Sequence, residues 1–224
     1  MAGAIVSCIA LLGGSFDPVH AGHVALAALF QQLLQPEQLR IVPAGNPWQK
    51  APLHASAADR IAMLELAFEA ASLPIVIDRQ EIERDGPSFT IDTLRSVRAE
   101  VGPAASVVFL MGADQLMHLD TWRDWRDLFA LAHIGVAARP GYSLAAASLP
   151  PAVAETISVR QGSLDQLRTT PSGKVFLAET LAVDISATQI RAALREQDSV
   201  ALEPSSLIPP VVLDYIQQHQ LYKN

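Results

Sequence analysis

Gly13-Gly14-Ser15-Phe16-Asp17-Pro18-Val19-His20-Ala21-Gly22-His23 is the stretch whose reading decides the fold. An uncharged apolar run, residues 4–12, precedes it, and an apolar helical pattern over residues 24–34 follows. This order predicts a buried strand that breaks at two glycines, turns, and enters a helix with two imidazoles at its mouth. A helix N-terminus presents unpaired N–H groups and the positive end of a dipole, so the junction suits phosphates. Glycines admit the backbone close to an anion. Imidazoles add donors that can carry charge near neutral pH. His20 and His23, three positions apart, can face one ligand across the junction. Taken singly, each piece has a plainer role: a Gly-Gly pair as a turn, a histidine as a surface or core residue.

Outward from this stretch, apolar runs alternate with amphipathic ones. Strands are expected at residues 4–12, 38–43, 74–78, 106–111, 132–138 and 175–179. Helices are expected at 24–34, 56–71, 90–101, 186–195 and 210–219. In the second helix Ser56 and Asp59 form a capping pair, and Ile61, Leu64, Ala67 and Phe68 share a face. Gly102-Pro103 stops the third. Continuous apolar strands alternating with helices imply an α/β fold, a Rossmann-like doubly wound parallel sheet with helices on both faces, followed by a C-terminal helical segment. Such sheets bind ligands at the carboxyl ends of their strands, near the switch point. The chain reads as a single domain over 1–224. Residues 141–172, rich in Ala, Ser, Pro and Gln, read as an extended loop or small insertion, and 181–224 as the helical C-terminal part.

Composition narrows the function. The 224 residues are half hydrophobic and carry a formal net charge of −7. That balance argues against a general nucleic-acid binder, which would present a basic face, and leaves room for a phosphate-bearing small ligand in a local positive pocket. Lysine occurs only at Lys50, Lys174 and Lys223, so arginine supplies most of the 16 basic side chains. The one cysteine, Cys8, falls in the first strand and reads as a small buried apolar residue. No apolar run reaches the roughly 18 residues of a membrane span, and the apolar N-terminus lacks a basic leader region. A cytoplasmic enzyme without a membrane or nucleic-acid partner is expected. Oligomeric state stays open, a homo-oligomer included.

The opening stretch resembles the signature of the nucleotidyltransferase superfamily, His-x-Gly-His, and in its longer form it looks most like the nicotinate mononucleotide adenylyltransferases. Other segments carry the same resemblance. Ile185-Ser186-Ala187-Thr188-Gln189-Ile190-Arg191 is similar to the superfamily's Ile-Ser-x-Thr-x-x-Arg. Ser186 and Gln189 also satisfy a capping box, which leaves Thr188 and Arg191 to be explained. Pro87-Ser88-Phe89-Thr90 with Thr93-Leu94 resembles Ser-Tyr-Thr-x-x-Thr-Leu, with phenylalanine in place of tyrosine; Ser88 or Thr90 can also simply cap the following helix. Met111-Gly112-Ala113-Asp114 and Trp122-Arg123-Asp124-Trp125 resemble the family's Gly-x-Asp and the tryptophan beyond it. Asn46-Pro47-Trp48-Gln49-Lys50 matches only at its basic position, and Arg139-Pro140-Gly141 reads mainly as a turn.

The resemblance implies transfer of AMP from ATP to nicotinate mononucleotide, with loss of pyrophosphate, in NAD biosynthesis. It places Gly13, Gly14, Ser15, Phe16, His20, His23, Ser186, Thr188 and Arg191 around ATP, with His20, His23 and Arg191 acting on the transferring and leaving phosphates. Lys50, Ser88, Phe89, Thr90, Asp114 and Trp122 fall around the mononucleotide, with Asp114 at the ribose hydroxyls or as a plain helix cap. Mg²⁺ is expected to arrive with ATP. No residue is assigned to a metal; Asp17 is a candidate or a brace for the turn. Related transferases with another phosphate acceptor (nicotinamide mononucleotide, phosphopantetheine) share both end motifs. A non-catalytic nucleotide sensor is the alternative of another class.

Overall fold

The structure, a computed structural model, describes residues 7–47, 52–138, 148–178, 186–195 and 207–223. Six parallel strands make one sheet: β1 (Cys8–Gly14), β2 (Gln38–Pro43), β3 (Val76–Ile77), β4 (Ser106–Gly112), β5 (His133–Ala137) and β6 (Val175–Ala178), ordered β3-β2-β1-β4-β5-β6. The helices are α1 (Ala21–Leu34), α2 (Ala57–Ala70), α3 (Gln80–Glu83), α4 (Thr90–Val101), α5 (Ala113–Leu116), α6 (Leu128–Leu131), α7 (Pro151–Arg160), α8 (Leu164–Thr169), α9 (Ala187–Arg195) and α10 (Pro210–Gln218). The strand order reverses between β1 and β4, which pair directly with Leu12 opposite Leu110. A crevice therefore opens beyond their carboxyl ends.

Side-chain alternation along the strands divides the core in two. Ala10, Leu12, Val108 and Leu110 point to one face, where Leu26, Phe30, Leu64, Phe68, Ile190, Val212 and Ile216 cover them. Leu11, Val107, Phe109 and Met111 point to the other, covered by Ile91, Leu94, Val97, Leu128, Phe129, Val153 and Ile157. Burial on both faces accounts for the unbroken apolar character of the strands. The doubly wound α/β arrangement expected from the alternation is the one observed. Cys8 is a buried free thiol. Trp125 packs edge-to-face on Phe129 in the core.

Five details differ from the sequence expectation. The strand does not break at the glycines: Gly13 and Gly14 stay in β1, paired with Val42 and Pro43, and the chain turns at Phe16, in the left-handed region at φ 49°. A Cβ on Gly14 would stand 3.0 Å from the Phe16 ring, so this glycine makes room for the aromatic that folds back over it. Helix α1 begins three residues early, at Ala21, because His20 takes the extended N-cap conformation. On α2 the buried residue is Arg60 rather than Ile61, drawn inward by a backbone carbonyl described below.

The fourth difference lies within residues 141–172. Residues 139–147 are outside the described part, Arg139 with them, but 151–169 is largely helical and not loop. Pro151 occupies the first turn of α7, where its missing N–H costs nothing, and Val153 and Ile157, one turn apart, are buried. Ser163 and Gln166 form a reciprocal capping box for α8. The helices are short, and the small residues Ala152, Ala154 and Ser158 of α7 blur its apolar period. At the far edge the expected strand over 74–78 contracts to the two residues that pair with β2.

Across the amino end of the sheet, Arg40 donates two hydrogen bonds of 2.7 Å to Glu100. These bonds hold the Glu100 carboxyl below its ordinary range. Its contribution to stability is thus complete above the unfolded carboxylate range and is lost as pH falls through the lowered folded value. Glu100 is more than half exposed, so screening keeps the pair to at most ~1 kcal/mol. Glu100→Gln is expected to lower Tm by about 2–4 °C at pH 7. The gap to wild type should close as pH is lowered through the carboxylate range, which thermal unfolding across pH checks.

Candidate active site

A cavity of about 570 Å³ occupies the crevice beyond β1 and β4. Its wall includes Gly13, Gly14, Ser15, Phe16, His20 and His23 from the β1–α1 junction, and Ser88, Phe89 and Thr90 from the start of α4. Asp114 and Trp122 line it beyond β4, and Ser186, Thr188 and Arg191 line it from α9. Every expected site residue in the described part is therefore on one cavity. Lys50, with Trp48 and Gln49, lies outside the described residues.

The three-residue spacing of the histidines has a local cause. His20 is the N-cap of α1 and His23 is its third residue, the two positions that exchange contacts in a capping box. The His20 backbone N–H donates to His23 Nδ1 at 3.3 Å. A ring nitrogen that accepts a hydrogen bond carries no proton, so the His23 proton sits on Nε2, as a donor. The two rings stack with centroids 3.7 Å apart, and Phe16 closes the far side edge-on at 4.9 Å. Together they form a short column of rings at the positive end of α1.

Asp17 holds this junction in place. It is only 3% exposed. Its carboxylate accepts from the His54 N–H at 2.8 Å, the Ala55 N–H at 3.0 Å and the Tyr222 hydroxyl at 2.8 Å. Asp17 is thus the brace for the turn. Burial, and then Asp17, push the Tyr222 phenol far up, so it stays a donor at any physiological pH. Arg60, fully buried on α2, donates to the Ser15 carbonyl at 2.8 Å. Burial pulls its guanidinium down, and Asp17 opposes this.

The C-terminal motif reaches the same loop. Arg191 Nη1 donates to the Asp17 carbonyl at 2.7 Å, across 174 positions of sequence. Arg191 Nη2 lies 3.5 Å from Thr188 Oγ1, one turn earlier on the same side of α9. Ser186 and Gln189 make the expected reciprocal cap: Ser186 N–H to Oε1 at 2.8 Å, and Gln189 N–H to the Ser186 hydroxyl at 3.3 Å. This cap leaves Thr188 and Arg191 facing the cavity.

At the other end, neither Ser88 nor Thr90 caps α4. The N-cap is Phe89, and no side chain caps the helix. Ser88 is committed elsewhere: its Oγ accepts from the Gly45 and Asn46 N–H groups, each at 3.1 Å. Arg123 lies 4.8 Å over the Phe89 ring. Asp114 is not an N-cap either; Gly112 caps α5, and a Cβ on Gly112 would fall 2.5 Å from Asp114 Oδ1. Trp122 meets Phe109 edge-on, and its buried Nε1 has no hydrogen-bond partner among the described residues.

Sequence reasoning missed Arg60, Tyr222, His54 and Glu81. Arg60 sits in a helix whose periodicity already explains it, Tyr222 lies beyond the last periodic segment, and the signal of both exists only once α2 and the C-terminus meet the β1–α1 loop. Glu81 lines the cavity from a four-residue helix too short to show a period. Among the described residues no His, Cys, Asp or Glu group of three or more could hold a metal ion, and no helix is long and apolar enough to cross a membrane. Chemically the site offers hydrogen-bond donors and positive charge to polyanions.

The cytidylyltransferase-like family model matches residues 11–193. A protein of Herminiimonas arsenicoxydans named "Probable nicotinate-nucleotide adenylyltransferase" is 56% identical over 220 residues, 98% of this chain and 99% of that protein. One of the same name from Laribacter hongkongensis is 46% identical over 217 residues, 96% of this chain and 94% of its own. Among solved structures, a Plasmodium falciparum nicotinic acid mononucleotide adenylyltransferase complexed with NaAD aligns at TM-score 0.72 and 19% identity, covering 96% of this chain and 97% of that one. At that identity the likeness speaks for the fold.

Asp17→Asn places an amide donor among three donors that need acceptors. It is expected to cost roughly 1–3 kcal/mol, several degrees of Tm in thermal unfolding. Tyr222→Phe removes one donor only and should fall by less; an equal or larger loss would shift the anchoring role from Asp17 to the tyrosine ring.

Proposed function

The chain belongs to the cytidylyltransferase-like family and, within it, to the nicotinate-nucleotide adenylyltransferases; from that premise we propose how its cavity performs the transfer. The enzyme joins AMP from ATP to nicotinate mononucleotide, giving nicotinate adenine dinucleotide and pyrophosphate in NAD biosynthesis. One observation carries the assignment of roles. The 2.7 Å bond from Arg191 to the Asp17 carbonyl sets α9 beside the stacked histidines, so both anion-binding motifs face one space.

The mononucleotide phosphate attacks the α-phosphorus of ATP in line and displaces pyrophosphate. This nucleophile is already anionic near neutral pH, so the reaction needs alignment and charge stabilisation more than a strong base. His20 and His23 hold the transferring phosphate, with His23 Nε2–H as a fixed donor. Thr188 and Arg191 bind the phosphates that leave, and Ser186 keeps α9 capped beside them. Gly13, Gly14, Ser15 and Phe16 shape the nucleotide site. On the acceptor side, the start of α4 at Phe89 and Thr90 turns the positive end of the helix toward the pyridine carboxylate. Asp114 takes the ribose hydroxyls, Trp122 stacks on the pyridinium ring, and Lys50 takes the acceptor phosphate. An aromatic face on that cation contributes about 0.5–2 kcal/mol.

Nucleotidyl transfer of this kind generally uses a divalent ion, and we assign Mg²⁺. The residues present fit an ion carried by ATP rather than caged by protein: Asp17, the carboxylate nearest the histidines in sequence, is filled by three donors. Mg²⁺ commonly keeps several waters and few protein ligands. When bound it offsets polyphosphate charge. We read 1–224 as one nucleotidyltransferase domain acting in the cytoplasm on small molecules.

Pyrophosphate and dinucleotide formation from Mg-ATP with nicotinate mononucleotide, compared with nicotinamide mononucleotide, tests the reaction. Preference for the nicotinate acceptor is expected. Equal use of both would remove the carboxylate site at α4, and use of neither would overturn the reading in favour of another acceptor or a sensor. His20→Ala is expected to lower kcat by about a hundredfold or more. Arg191→Ala should raise KM for ATP by about tenfold with a modest loss of Tm, because the same side chain also holds the Asp17 carbonyl. Steady-state kinetics beside thermal unfolding separates the two effects.

A further inference from the structure

Glu81, on α3, lines the cavity wall with Ser88, Phe89 and Thr90, and the transfer mechanism makes no use of it. Its carboxyl is a junction of hydrogen bonds. Thr93, buried on α4, donates from Oγ1 to Glu81 Oε1 at 2.6 Å. The Ser88 side chain acts on the same carboxyl and favours its ionised form. Ser88 Oγ in turn accepts from the N–H groups of Gly45 and Asn46, and the Ser88 N–H donates to the Asn46 carbonyl at 2.8 Å. Pro47 and Ser88 also form a parallel bridge.

The valences close. A hydroxyl oxygen has two lone pairs and one hydrogen. Both Ser88 lone pairs are taken by backbone N–H groups, so its hydrogen must find an acceptor. The Thr93 hydrogen is spent on the same group. Two donors converging on one carboxyl match a carboxylate. A carboxamide there would turn its own N–H toward a donor. Backbone packing runs in parallel: a Cβ on Gly45 would collide with the Glu81 carbonyl oxygen, so the strand-end arm seats directly on α3.

We propose that Glu81 is the positioning residue of the acceptor subsite, its carboxylate fastening the arm at residues 44–47 to the first turns of α4 through Ser88 and Thr93. The proposal rests on the adenylyltransferase reading for what the subsite holds, and on geometry alone for the fastening. Among the described residues, the groups that meet Glu81 lie on the acceptor side of the cavity. Burial pushes its carboxyl up, opposed by Thr93, Ser88 and Arg84 and reinforced by Asp78.

The test compares wild type, Glu81→Gln, Glu81→Ala, Ser88→Ala and the Glu81→Gln, Ser88→Ala double variant by steady-state kinetics with each substrate varied, and by hydrogen exchange of the Gly45 and Asn46 amides. KM for nicotinate mononucleotide should rise by about tenfold or more in both Glu81 variants, with KM for ATP within about twofold. The isosteric glutamine should be nearly as harmful as alanine, and Ser88→Ala should add little to Glu81→Gln, because one chain of bonds is cut at two points. Exchange at Gly45 and Asn46 should quicken in each variant while α1 amides keep their protection. An unchanged acceptor KM, or an equal rise in both KM values, overturns the proposal. If the Glu81 variants do not fold, the same KM split in Thr93→Val and Ser88→Ala supports it and its absence overturns it. If wild type forms no dinucleotide, the reaction assignment fails, and the exchange rates alone then support or overturn the fastening.

Discussion

A buried carboxylate is tolerated only when its oxygens are filled with donors. Asp17 meets that demand by reaching for chain segments that are otherwise far apart. It takes two backbone N–H groups from the segment leading into α2 and a hydroxyl from Tyr222 near the end of the chain. Its own carbonyl takes a guanidinium from α9. Arg60 secures the neighbouring Ser15 carbonyl from below. The β1–α1 loop is therefore stitched to three elements before any ligand arrives. The histidines at the start of α1 inherit that rigidity, and a pre-set array of donors is the form in which charge stabilisation is most effective.

The same device recurs on the opposite side of the crevice with different residues. There Glu81 takes the Thr93 hydroxyl, and Ser88 takes the Gly45 and Asn46 amides. Each half of the cavity thus contains one partly or fully buried carboxylate whose partners are the backbone and hydroxyls of the surrounding loops. Neither carboxylate needs to enter the chemistry. They hold loops that run from the carboxyl ends of β1 and β2, where a parallel sheet delivers its ligand site. The sheet supplies the rigid base through its doubly buried strands.

Several elements were open to reading from local pattern because their causes are local. The capping box at Ser186 and Gln189, the cap at Ser56 and the stop at Gly102 depend on neighbours within four residues. The apolar strands announce themselves because both faces are covered. Other assignments failed for equally physical reasons. Ser88 and Thr90 look like caps for α4, but Ser88 is claimed by a loop 42 positions away, and the cap falls to Phe89. Ile61 fits the apolar face of α2, yet Arg60 is the residue turned inward, because a loop carbonyl waits there. The helices between residues 151 and 169 were hidden by small, polar surface residues, although Pro151 and the Ser163 cap mark their starts.

Sequence alone determined the alternation that makes a doubly wound sheet and the strand–turn–helix with two histidines three positions apart at its mouth. Those properties rest on hydrophobic period, glycine and capping preferences, all of which act over a few residues, and the family resemblance rests on the motifs themselves. Tertiary structure decided which distant residues complete the site. Arg191 meets Asp17 across 174 positions, Tyr222 meets it across 205, and Glu81 on α3 meets Thr93 on α4. A side chain's hydrogen-bond partner is set by what the fold brings within about 3 Å of it, and no local pattern encodes that distance.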